Sequence, residues 1–265
     1  MTTTARSQTS FAYDMSTVSV LWKRDIVRFF RERTRVVGAL LQPLIFWFVI
    51  GSGLSPTFRL QSASQLNYME FFFPGVILMV VLFTSIFATM SLIDDRHNGF
   101  LQAVLVGPGS RGAVILGKSL GGTSVALIQA GLFVLLSPLA GFRYSAIDWP
   151  LLATALVLTS IALTTVGCAV AWWLDSTQGY HVVMSVLLLP LWILSGSMFP
   201  APRAVAPFLA FNPMSHAVGA IRRALYAGMP PEGTVVASAG VEMLALASFA
   251  FVGFLSAYLL VTRKR

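Results

Sequence analysis

Six stretches of this chain are each apolar for long enough to cross a bilayer as a helix, and that excludes most of what 265 residues are otherwise free to become. A hydrocarbon core about 30 Å thick takes roughly 20 residues of helix. The stretches are Val36–Leu54, Phe71–Ile93, Val114–Ser137, Trp149–Leu174, Tyr180–Met198 and Ala237–Val261. Hydrophobic residues make up 56% of the chain, Phe alone occurs 20 times, and charged residues make up only 11%. A soluble domain carries roughly 25% charged residues and has no core large enough to hide so much apolar surface. The expected fold class is an all-α integral membrane protein, with residues 1–265 forming a single transmembrane domain.

Orientation follows from the flanking cations. With the N-terminus in the cytoplasm, thirteen of the 18 Lys and Arg fall inside: the tail before residue 36, then Arg96, Arg111 and Lys118, then Arg263, Lys264 and Arg265. Arg59, Arg143, Arg203, Arg222 and Arg223 fall outside. Six spans then return the C-terminus to the cytoplasm. The first 35 residues lack the apolar core and small-residue cleavage site of a signal peptide. The net charge of +8 is concentrated on the inner face, which suits anionic lipid. No nucleic-acid module accompanies it, so no nucleic-acid partner is expected.

Residues 17–35 read as a helix lying in the membrane interface. Trp22, Ile26, Phe29 and Phe30 share one face, and Arg24, Arg28, Arg31 and Arg35 share the other, aimed at lipid headgroups. Residues 199–225 are apolar but broken by Pro200, Pro202, Pro207 and Pro213. Proline removes helical hydrogen bonds, and bare backbone cannot face lipid. This segment is expected to dip into the outer leaflet as a re-entrant helical hairpin, with Arg222 and Arg223 near its outer exit.

One motif points elsewhere. GAVILGKS, Gly112–Ser119, fits the phosphate-cradling G-x-x-x-x-G-K-[ST] pattern, and Asp175 ends an apolar run as a partner acid would. A phosphate loop follows a buried strand and belongs to a soluble domain of well over 100 residues. The longest soluble stretch here is the N-terminal tail. Lys118 is therefore read as a cation at a membrane boundary, its stem buried and its ammonium reaching water, and Gly117 and Gly121 as a small-xxx-small pair that packs on a neighbouring helix. The histidines His97, His181 and His216, with the lone Cys168, lack metal-ligand spacing. Neither a metal site nor a catalytic site is expected. Trp149, Trp172 and Trp173 read as belt residues at the ends of the fourth span.

Three ordered stretches resemble the permeases of type-2 ATP-binding-cassette exporters. DDRHNGFLQAVLVGPGSRGAVILGKSLGG, Asp94–Gly122, carries the charged cluster followed by Gly99, Phe100, Leu101, Pro108, Arg111, Gly117 and Lys118. LSGSMFP, Leu194–Pro200, is similar to the motif closing the fifth span, and NPMSHAVGAIRRALYAG, Asn212–Gly228, is similar to an Asn-Pro stretch before the last span. Met214, Ser215 and His216 depart from the usual Leu, Thr and Tyr. Asp94 and Asp95 stand where many members have Glu. The drug-resistance permeases resembling daunorubicin exporters are nearest.

The resemblance implies an in-plane N-terminal helix, a cytoplasmic coupling helix between spans two and three, and a re-entrant hairpin before span six. It implies a homodimer of permeases in the inner membrane of a prokaryote, working with two copies of a separate ATPase subunit. ATP and magnesium would be bound by that subunit and no cofactor by this chain. Asp94, Asp95, Arg96, His97, Asn98, Gly99, Phe100 and Leu101 are expected to dock the ATPase, with Phe100 and Leu101 as anchors. Trp192, Phe199, Phe208 and Phe211 are expected to line the outer path of an amphipathic, lipid-like or drug-like cargo, or a glycan. A secondary transporter or channel is the alternative. It calls for intramembrane charges along an ion path, and Glu242 is the one acid clearly within a span.

Overall fold

A computed structural model describes residues 2–55, 67–200, 206–231 and 237–263. The described residues form ten α-helices and no strand. These are α1 (Thr2–Arg31), α2 (Arg33–Leu54), α3 (Tyr68–His97), α4 (Phe100–Val106), α5 (Arg111–Val134), α6 (Trp149–Trp173), α7 (Thr177–Trp192), α8 (Ala206–Phe211), α9 (Pro213–Leu225) and α10 (Ala239–Arg263). Six helices are long and apolar enough to cross a membrane: Val36–Leu54, Tyr68–His97, Arg111–Val134, Trp149–Trp173, Thr177–Ser197 and Ala239–Arg263. They coincide with the six apolar runs to within about one turn.

Polar caps set several of the starts. Asn67 accepts from the Met69 amide, Ser110 from Ala113, Asp148 from Leu151, Ser176 from Gly179 and Asn212 from Met214. Proline occupies the first turn of α6 and of α9, where no intrahelical donor is lost.

Helix α3 is the axis of the bundle. Its residues from Phe71 to Ile86 are all buried, and α2, α5, α6, α7 and α9 pack around it. Gly75 permits one close approach, since a Cβ there would stand 2.7 Å from the Ser197 carbonyl. Helix α7 ends in a π-type turn, Ile193–Ser197, that reverses at Gly196 with φ of +82°.

Two expectations are corrected. The N-terminal helix extends over Thr2–Arg31 rather than beginning near residue 17. It also runs lengthwise along α5 rather than across the spans in the plane. Leu21 lies against Gly117 and Asp25 against Gly121, so equal steps on one helix match equal steps on the other. The neighbour of that glycine pair is thus α1. The broken segment after α7 does form two short helices, α8 and α9, meeting at Asn212. Residues 201–205 of the expected hairpin lie outside the described residues, as do Arg59 and Arg203.

Candidate functional site

The short helix α4 stands at one end of the bundle, on a base of buried charge. Asp94, Asp95, Arg96 and His97 form the last turn of α3. The chain then turns at Asn98 and Gly99, where φ is +73°, a conformation that glycine adopts without steric cost. Asp95 is 1% exposed. Its carboxylate takes a bidentate pair from Arg24 of α1, both contacts 2.7 Å, and a third contact of 2.6 Å from Lys118 of α5. Lys118 also donates to Asp25 at 2.8 Å and to Ser91 at 3.3 Å. Arg28 reaches Glu32 at 2.8 Å and Asp94 at 3.3 Å.

Four carboxylates and three cations therefore join α1, α3 and α5. Charges withdrawn from water persist only when they are paired and hydrogen-bonded. The Arg24 guanidinium is held above its ordinary value chiefly by its hydrogen bond to Asp95. Burial pushes the Asp25 carboxyl upward, against the opposing pull of Lys118.

This arrangement corrects the expected roles of several residues. Lys118 does not reach water but sits buried between two acids. Arg24 and Arg28 point into the cluster instead of towards headgroups. Asp95 and Leu101 are buried, so they hold α4 in place and offer no surface of their own to a partner. Phe100 is half-buried beneath the Arg24 guanidinium, 3.8 Å from the ring centre. Arg96 closes the end of α6, donating to the carbonyls of Trp172 at 3.0 Å and Leu174 at 3.3 Å and pairing with Asp175 at 2.6 Å. What α4 presents outward is Gln102, Ala103 and Val106, the last 88% exposed. His97 and Asn98 are exposed beside it.

The phosphate-loop lookalike is helix. Gly112–Ser119 lies within α5, whose amides enter helical hydrogen bonds rather than converging on an anion. Its apparent partner acid, Asp175, is taken by Arg96.

The other end of the bundle separates residues that were grouped together. Trp192 is 2% exposed, donates to the Gly75 carbonyl at 2.9 Å, and packs on Phe46 and Phe72. It is a core residue. Phe199, Phe208 and Phe211 are exposed, Phe211 by 90%. Arg222 does not stand at an outer exit. It is buried, stacks on Phe71, and donates to the carbonyls of Phe71 at 3.3 Å and Gly196 at 3.2 Å. Arg223 pairs with buried Glu242 at 3.4 Å, so this acid of the last span is matched by a cation on α9.

Among the described residues no group of His, Cys, Asp and Glu is arranged to hold a metal ion. His181 lies against Phe87, and His216 hydrogen-bonds the Ala210 carbonyl at 2.8 Å. Sequence reasoning missed the role of Asp25. Its signal was there: it is an acid among the cations of residues 23–35, in a chain with a lysine at the edge of a span.

The profile of the family described as ABC-2 type transporter matches residues 16–226. A nodulation protein J from Rhizobium leguminosarum bv. viciae is 22% identical over 251 residues, covering 92% of this chain and 93% of that protein. The daunorubicin resistance ABC transporter permease protein DrrB1 of Streptomyces coeruleorubidus is 26% identical over 217 residues, 80% of this chain and 75% of its own. The inner membrane transport permease YadH of Escherichia coli is 24% identical over 208 residues, 76% and 80% of the two chains. The chain belongs to the ABC-2 type transporter family, whose permeases are multi-pass membrane proteins that work with an ATP-binding subunit.

Proposed function

From that membership we propose that the chain is the membrane-spanning subunit of an ATP-binding-cassette exporter. It moves an amphipathic, lipid-like or drug-like substrate, or a glycan, out of the cytoplasm or inner leaflet. Hydrolysis of ATP with magnesium takes place on a separate ATPase subunit. Two permease copies and two ATPase subunits form the working unit in the inner membrane of a prokaryote, with both permease termini cytoplasmic. The names of the relatives support a mobile amphipathic cargo, one being a daunorubicin-resistance permease.

The observation that carries the reading is α4. A seven-residue helix with an exposed apolar tip at Val106 is fixed to the bundle by a buried ion cluster and by Leu101. Exposed apolar tips on rigid supports are what interface anchors require. In this reading the docking surface is Gln102, Ala103 and Val106, flanked by His97, Asn98 and Phe100. Asp94, Asp95, Arg96, Gly99 and Leu101 hold its position. The proposed cargo exit lies near Phe199, Phe208 and Phe211.

The test is co-purification. The tagged chain should bring down an ATPase encoded beside it, and Val106→Glu should weaken that association by about tenfold or more, the scale of a truncated anchor, while expression and folding hold. A chain that purifies without any ATPase and still exports would overturn the reading in favour of a secondary transporter.

A further inference from the structure

A cavity of about 40 Å³ lies between α1, α3 and α5 beside the ion cluster. A buried water needs about 10–15 Å³ of such space, so the cavity takes about two or three. It is polar at its two ends and apolar between them. Asp25 and Ser91 line the end nearest Lys118. Thr84 and Gln129 line the other end and close it with a hydrogen bond to each other. Phe29, Phe87 and Val125 form the walls between, Val125 falling midway from Gly121 to Gln129 on α5 and Phe87 between Ser91 and Thr84 on α3. Arg28 also lines the cavity but is held by Glu32, Asp94 and Asp95.

Each end keeps hydrogen-bonding capacity that the protein does not use. The Asp25 side chain is 9% exposed and accepts from Lys118 on Oδ1. Among the described residues nothing donates to Oδ2, which stands beside Gly121, where the absent Cβ leaves it room. Gln129 is fully buried, and its amide nitrogen carries two N–H donors. One reaches the Val36 carbonyl at 3.4 Å, and the other has no acceptor among the described residues. A spare acceptor and a spare donor, about 12 Å apart along α5, are what a short line of waters joins. Three waters with their end bonds, each about 2.8 Å long, span about 11 Å.

We propose that this cavity holds a line of ordered waters running from Gln129 to Asp25. The water at one end accepts from the Gln129 amide and donates to the Thr84 hydroxyl oxygen. The water at the other end donates to Asp25 Oδ2. The line solvates the side of the Asp25 carboxylate that Lys118 does not reach, and joins α1 to the centre of the bundle through exchangeable hydrogen bonds. This holds whether or not the chain acts as an exporter.

The experiment is radiolytic footprinting of the full chain purified in detergent. An X-ray pulse splits bound water in place and hydroxylates the side chains beside it, and mass spectrometry reads the rate at each residue. A scavenger of bulk hydroxyl radicals suppresses labelling from free solvent. With the scavenger present, Phe29, 6% exposed, should be hydroxylated several-fold faster than Phe83, which is 8% exposed and does not line the cavity. Val125→Leu pushes a further methylene into the cavity and should bring Phe29 down to the Phe83 rate, with the thermal midpoint confirming that the variant folds. Equal rates at the two phenylalanines of the native chain would overturn the proposal. So would a Phe29 rate that falls with added scavenger as steeply as that of exposed Tyr13, or an unchanged Phe29 rate in folded Val125→Leu. If Val125→Leu fails to fold, the two measurements on the native chain decide.

Discussion

Replacing Lys118 by Met tests the buried cluster and the phosphate-loop lookalike in one step. The side chain is 2% exposed, and its ammonium lies 2.8 Å from Asp25 and 2.6 Å from Asp95. Met keeps most of the volume, so the loss is electrostatic. Asp95 retains its bidentate Arg24, and the deficit therefore falls mainly on Asp25. Removing one partner of a buried pair costs about 3–5 kcal/mol, because it strands the other charge. Adding Asp25→Asn removes the stranded charge and should recover about half of that loss.

The pH dependence has a definite sign. The folded-state value of Asp25 is raised above about 3.9, the ordinary value of an Asp carboxyl. Its contribution to stability is therefore fully present below that ordinary value and is lost as pH rises through the folded value. With the opposing pull of Lys118 gone, the folded value climbs further. The deficit of Lys118→Met should then be largest at neutral pH and shrink on acidification. Thermal midpoints in detergent, read from pH 5 to pH 8 for both variants and the parent, check this. A Lys118→Met protein within about 1 kcal/mol of the parent, or a double variant no better than the single, would refute the reasoning. Saturable ATP binding to the purified chain, abolished by Lys118→Met, would restore the phosphate-loop reading.

Other outcomes follow from the same geometry. Gly121→Val should cost about 1–3 kcal/mol by overpacking, because even a Cβ there meets the Asp25 Cβ at 2.8 Å; an unchanged thermal midpoint, with α1 no more open to protease, would count against close packing of α1 on α5. Cysteine at Ser145 should react with an impermeant thiol reagent on intact cells and cysteine at Asn98 should not, labelling at Asn98 being the result that reverses the topology. Trp192→Ala should lower stability by about 3–5 kcal/mol as a core truncation, whereas Phe208→Ala and Phe211→Ala should leave stability within about 0.5 kcal/mol and reduce export. Full export at normal surface abundance would remove those two aromatics from the path.

The six spans were legible because membrane helices are specified by length and apolar content, which sequence states directly. The start of α6 at Trp149 was legible too, whereas α3 and α5 begin three residues before their apolar runs, at the caps Asn67 and Ser110. The pairing of charges was not. Asp25 and Lys118 are 93 residues apart, and nothing in either local pattern names the other. Lys118 was assigned to water because a lone lysine at the edge of a span usually reaches it, and Arg24 and Arg28 to headgroups because they form one face of an amphipathic helix. That face is real, but its counterpart is a pair of acids on α3. Trp192 misled in a similar way: an aromatic near a proline-broken segment reads as part of the outer path, yet its indole N–H finds the Gly75 carbonyl inside the bundle.

The placement of charge along α3 bears on how its two ends are related. At one end Asp95 is bound from α1 and α5, and α4 leaves the helix after a two-residue turn. Near the other end the carbonyls of Phe71 and Gly75 receive Arg222 of α9 and Trp192 of α7. These carbonyls and Asp95 are joined by helix whose packed central residues resist bending, and Asp95 lies 20 residues beyond Gly75, about 30 Å along the axis. The neutral indole of Trp192 fixes position on a backbone carbonyl without adding charge, which suits a contact deep in the bundle. The paired carboxylate suits the end from which α4 emerges, where the partners must come from separate helices. Any displacement of α3 relative to α5 has to break the Lys118–Asp95 contact. If α3 moves as a unit, α7 and α9 are the elements it meets at the far end, and these flank the exposed Phe199, Phe208 and Phe211.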